Sequence, residues 1–161
     1  MRNIIYTFAL LICVLGLGCS DVSKECLDFF SQPVEQAEGK FKTYPIEKQF
    51  DLFSCGMRME PPVLWPAADL ADRGDPAIPF LLDRLRKERD ELSQDDIIFV
   101  FELMASKGYL DNKPFIMDDL TQIVSKMKHP SVKNLSQEKL RRIKAKLKER
   151  KDKQETSRSN E

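Results

Sequence analysis

Histidine is nearly missing from this chain: His129 is the only one in 161 residues. It precedes Pro130 at an apparent helix end, with no second histidine and no carboxylate cluster beside it. Nothing in that pattern sets up metal binding or general-base chemistry. Also missing are Gly-x-Ser-x-Gly, a glycine-rich phosphate loop, His-Glu-x-x-His and any local Cys–His signature. Net charge is missing too. Lys plus Arg and Asp plus Glu both number 26, so no whole-chain field points to nucleic acid. Two carboxylate pairs stand out, Asp95-Asp96 and Asp118-Asp119. Adjacent residues on a helix point apart, so both pairs are expected to be caps or solvated positions. The reading is therefore non-enzymatic, with no catalytic residue, metal, cofactor or small-molecule substrate.

A long membrane-crossing run is missing as well, but a shorter apolar run is present at the N-terminus. Arg2 supplies a positive start, Ile4 to Leu17 is almost continuously apolar, and small residues precede Cys19. This is the three-part form of a secretory signal over residues 1–18. The run is short for a bilayer, which needs about 20 apolar residues. Polar residues follow at once, from Ser20 to Glu25.

Leu15-Gly16-Leu17-Gly18-Cys19 resembles the lipobox of bacterial lipoproteins. The resemblance implies that the Cys19 thiol carries a diacylglyceryl group and becomes the mature N-terminus. It implies a bacterial-envelope protein held by its lipid anchor on the periplasmic side. Ser20 after the cysteine tilts the choice toward the outer membrane. Plain secretion is the other outcome of the same signal. Cys13 leaves with the signal, and Cys26 and Cys55 remain as an even pair in an oxidising compartment. They either bridge or sit as two buried thiols.

The rest is 42% hydrophobic and 32% charged overall, enough apolar mass for a core. It reads as helices throughout. A first helix over 23–37 is stopped or kinked by Pro33, with Glu38-Gly39-Lys40 as a break. Thr43 to Met57 carries Ile46, Phe50, Phe53 and Met57 at helical spacing, with Pro45 at a first helical position. Pro61-Pro62 make a rigid connector. A short small-residue helix follows Pro66, and Gly74 is expected at C′ in the left-handed conformation. Asp75 is expected to cap, with Pro76 at N1, a helix running to about Leu92. Ser93 to Asp96 is a capping-box variant opening a helix to Lys107. Its run Ile97–Phe101 is apolar without a break and marks the centre of the core. A stripe from Phe115 to Met127 comes next, then a last helix from Gln137 to about Lys153. Polar residues 154–161 read as a disordered tail.

Ala68 to Leu85, with its Gly-Asp-Pro corner and Ala-Ile-Pro-x-Leu start, resembles one HEAT-type repeat. A second corner at Asp111-Asn112-Lys113-Pro114 lies 36 residues on, from 111 minus 75. The resemblance implies an all-α domain over 19–153, antiparallel helix pairs stacked as a short HEAT-like α-α superhelix. Function is then expected at a surface. The expected role is a lipid-anchored scaffold binding an unknown envelope protein. Alternatives are an accessory or inhibitor subunit, or a protein acting at the membrane surface. Lys139 to Lys153 is strongly basic, and Arg141, Arg142, Lys144 and Lys148 are candidate contacts to anionic lipid or an acidic partner. Trp65, the only tryptophan, is either an exposed anchor or the plug of a helix junction.

Overall fold

The computed structural model describes residues 22–159, with side chains as far as residue 157. The signal segment and Cys19 lie outside the described residues. Every regular element described is helical: α1 (Lys24–Phe30), α2 (Val34–Thr43), α3 (Ile46–Met57), α4 (Trp65–Asp72), α5 (Ile78–Lys87), α6 (Glu91–Lys107), α7 (Pro114–Lys126) and α8 (Pro130–Ser159). A 3-10 turn, Asp75–Ala77, joins α4 to α5. No described helix is long and apolar enough to cross a membrane.

Short turns reverse the chain between consecutive helices, so alternate helices lie side by side and parallel. One layer holds α4, α6 and α8, with α6 in the middle. Its direction is read from ion pairs: Asp72 at the end of α4 meets Lys107 at the end of α6. The second layer holds α3, α5 and α7. Phe50 of α3 packs edge-on against Phe80 of α5, with Arg84 over both rings. Arg86 of α5 pairs with Asp119 of α7. The core fills the space between the layers. Leu70, Ile98, Phe101, Met104, Leu81, Leu85, Ile116, Leu120 and Ile143 are all closed to solvent. Ala67 and Ala71 are fully buried on α4, and their short side chains let α6 come close.

Several boundaries differ from the sequence reading, each for a local reason. Pro33 does separate α1 from α2, but Glu38-Gly39-Lys40 lies within α2, held there because Ala37 and Phe41 bury on its inner face. Pro45 is the N-cap of α3 rather than its first residue. Gly74 has φ 65° and ψ −143°, a positive φ outside the left-handed helical region. Asp75 caps nothing with its side chain; its carboxylate lies 3.0 Å from Lys113 Nζ across the next corner. α5 ends at Lys87, and α6 starts before the Ser-Gln-Asp-Asp segment. Its cap is Asp90, whose Oδ2 accepts from Ser93 N at 3.0 Å. Gly108 ends α6 in the left-handed conformation, φ 88° and ψ 3°. Phe115 is 53% exposed instead of joining the buried stripe of α7. α8 begins at Pro130, not Gln137, and stays helical to Ser159, past residue 154 where the composition predicts a disordered tail.

Within the apolar run of α6, Ile97, Ile98, Val100 and Phe101 are buried and Phe99 is partly so. Cys26 of α1 and Cys55 of α3 are joined by a disulfide, with Cα atoms 6.3 Å apart.

Candidate functional site

The face that differs most from a plain helical stack is where α6 and α8 meet. The two helices share the largest helix–helix contact of the fold. Their polar contacts form a ladder that climbs both helices in the same direction. At the bottom, Glu91 accepts from Lys128 N at 2.6 Å and His129 N at 2.8 Å. Those two donors hold its carboxyl below the ordinary carboxylate range. Next, Asp95 Oδ1 accepts from Ser136 Oγ at 2.7 Å, and its Oδ2 from Lys139 Nζ at 2.6 Å. Asp95 and Ser136 are buried. Higher up, Arg142 makes a two-pronged contact with Glu102, at 2.7 and 3.0 Å. At the top Arg150 donates to Ser106 O and lies 3.8 Å from Asp111.

Asp96 is treated quite differently from its neighbour. It is half-buried and makes no hydrogen bond or ion pair within the described residues. Its carboxyl is pushed up to about 6, first by loss of water, then by the Asp95 charge. Arg58 and Lys139 offset this only in part, because both are engaged elsewhere. Arg58 donates to Ser93 Oγ and approaches Asp90 at 3.4 Å, while Lys139 holds Asp95. Asp95 and Asp96 are thus neither caps nor solvated positions. Sequence spacing gave no sign of this for Asp95, because its partners Ser136 and Lys139 lie on α8, about 40 residues further on. On α4, Asp69 is a second strained carboxylate: burial raises it, Lys42 at 3.6 Å offsets part, and its Oδ2 has no partner.

The basic residues named from the sequence separate into two groups. Arg142 belongs to the ladder. Arg141, Lys144 and Lys148 recur at three and four residues on one exposed stripe, which Lys151 extends. Arg141 pairs with Glu138 at 2.5 Å and Lys151 with Glu155 at 3.8 Å. Lys144 and Lys148 have no ion-pair partner among the described residues. α8 has 30 residues and α6 has 17, or about 45 and 26 Å at 1.5 Å per residue. The end of α8 therefore overhangs the stack, and residues 151–157 are all exposed.

Trp65 is far from this region along the chain and in packing. Its ring sits among Phe29, Phe30 and Phe41 at centroid distances of 6.3, 5.9 and 5.1 Å. It plugs the junction of α1, α2 and α4. A shallow cleft of about 370 Å³ lies between the 110–114 corner and α8, but its Arg150 wall is already held by Ser106 and Asp111. Compared with known proteins, the chain matches no family model, no curated protein and no solved structure.

Proposed function

We propose that this chain is a lipid-anchored, periplasm-facing scaffold of a bacterial envelope that binds another envelope protein and performs no catalysis. The architecture in this reading is a short HEAT-like stack. The supporting observation is the spacing at the N-terminus. Ser23 caps α1, its side chain accepting from Cys26 N at 3.3 Å. Only four residues separate Cys19 from that cap if Ser23 itself is counted, so a lipid on Cys19 keeps α1 within about 14 Å of the membrane surface. Several acyl chains hold such a domain firmly, at about 0.8 kcal/mol per buried CH₂. The folded part then offers helical surfaces close to the bilayer.

The test is fractionation of cells carrying Cys19→Ser. The reading expects the variant to leave the membrane pellet for the soluble periplasm. Continued pelleting with membranes sinks the lipid-anchor part.

A second reading is favoured by the exposed stripe Arg141, Lys144, Lys148 and Lys151. In it α8 lies on anionic head groups beside the anchor, each cation contributing about 1 kcal/mol near a charged surface. Unlipidated protein starting at Ser20 should then bind anionic liposomes and lose them as salt rises. No binding removes this reading.

A further inference from the structure

We infer that the outward stripe of α6, Leu92, Asp96, Phe99 and Leu103, is the docking groove for a partner helix that brings a lysine or arginine to Asp96 between apolar side chains. The inference rests on the protein-binding reading above and names where and what it binds.

The stripe follows from helix geometry. The four residues are spaced four, three and four apart, and at about 100° per residue they share an arc of about 60°. The core-facing residues Ile97, Ile98, Val100, Phe101 and Met104 lie outside that arc. On one side of it run Glu91, Asp95 and Glu102, the rungs toward α8. On the other run Ser93 and Lys107, which reach Arg58 and Asp72. The stripe is the floor between α4 and α8. Leu92 is 59% exposed, and Phe99 and Leu103 are half-buried. Leu135 adds to the rim. It stands four and seven residues before Lys139 and Arg142, both of which reach α6, and it is 55% exposed. The apolar members, Leu92, Phe99 and Leu103, stand at i, i+7 and i+11 with Asp96 between the first two, so a partner's amphipathic helix would meet apolar side chains on both sides of the carboxylate.

The charge complementarity comes from Asp96. Among the described residues it makes no ion pair or hydrogen bond, while Glu91, Asp95 and Glu102 are all satisfied. Asp95 and Asp90 act on it unfavourably, and Arg58 and Lys139 favourably but without contact, since they are bonded to Ser93 and Asp95. A carboxylate in half-dry surroundings beside other acids favours an incoming ammonium or guanidinium and disfavours an acidic partner. That selects a basic, amphipathic helix over a purely apolar one.

The test places a photo-crosslinking phenylalanine analogue at Leu92 in full-length, lipidated protein in intact envelopes, and separately at Lys148. The crosslinked partner peptide is sequenced. The inference expects crosslinks from position 92 to a helical segment with Lys or Arg flanked by apolar residues. A synthetic peptide of that segment should bind wild type at least tenfold more tightly than Asp96→Asn. The same substitution should raise thermal stability, so loss of binding cannot be loss of fold. A crosslinked segment without a basic residue, or equal affinity for Asp96→Asn, overturns the inference. Crosslinks from Lys148 alone overturn the groove but leave a protein-binding module standing. No crosslink from either position sinks both.

Discussion

Lys139 Nζ stands 2.6 Å from Asp95 Oδ2, and the next residue along α6, Asp96, has no such partner. Two acids adjacent in sequence are thus held in opposite electrostatic situations. Helix geometry sends Asp95 toward α8 and leaves Asp96, about 100° round the helix, half-buried on the outer stripe.

Asp96→Asn should stabilise the protein at neutral pH. The Asp96 carboxyl is raised from 3.8 to about 6 in the fold. Between these values the folded state binds more protons than the unfolded state, so stability falls as pH rises through that window. Above pH 6 the ionised group costs its full amount. The shift corresponds to about 3 kcal/mol before allowance for solvent, so the variant should gain about 1–2 kcal/mol at pH 7 to 8. Urea unfolding at pH 7.5 and pH 3.5 checks this. The gain should shrink to near zero at the lower pH.

Lys139→Met should do the reverse. It leaves Asp95 buried with a single hydroxyl partner, and an uncompensated buried charge costs about 3–5 kcal/mol. Lys144→Met and Lys148→Met remove exposed lysines of the same helix and should stay within about 0.5 kcal/mol of wild type. Parallel urea curves for the three variants measure the contrast.

Gly74→Ala should destabilise by about 2–4 kcal/mol. The backbone has φ +65° there, and an added Cβ would meet the Tyr109 ring at 2.8 Å. Gly39→Ala is the control, since a Cβ at that position meets nothing within 4 Å. It should be neutral or slightly stabilising, because alanine favours the helix interior. Thermal melts of both variants decide the matter.

Breaking the disulfide should cost about 3–4 kcal/mol by the loop-entropy estimate for a separation of 29 residues. The Cys26→Ser, Cys55→Ser double variant should show this in chemical unfolding. Mass analysis of alkylated, non-reduced wild type should find neither thiol free.

The helical class and most core stripes were legible because apolar spacing reports directly on buried faces. Ile97 to Phe101 marked the central helix for that reason. The start of α8 was not legible. Pro130 to Ser136 lacks a clear stripe, and the helix is held there by Glu91 and Asp95, which lie about 40 residues earlier in the chain. The cap at Asp90 was missed because Ser93, three residues on, offers an equally good local signal. The stripe on α6 was hidden for another reason. A helix apolar on nearly all sides shows no periodicity, so its outward face could not be told from its inward one until the neighbours were placed. Arg141, Lys144 and Lys148 were legible as basic. Their separation from Arg142 required knowing which side of α8 meets α6.

The bridge between α1 and α3 also sets how the domain bears tension. With a lipid on Cys19, any pull between membrane and partner enters at the first turn of a seven-residue helix. Such a helix would peel away turn by turn under load. Cys26 lies in that first turn, so the force passes through covalent bonds to Cys55 and into α3, which is seated by Phe50, Leu52 and Phe53. Cys19 and Cys26 are only seven residues apart in sequence, so in the proposed reading little chain lies outside the bridge. In the proposed reading, a partner bound to the folded part would hang on a short leash.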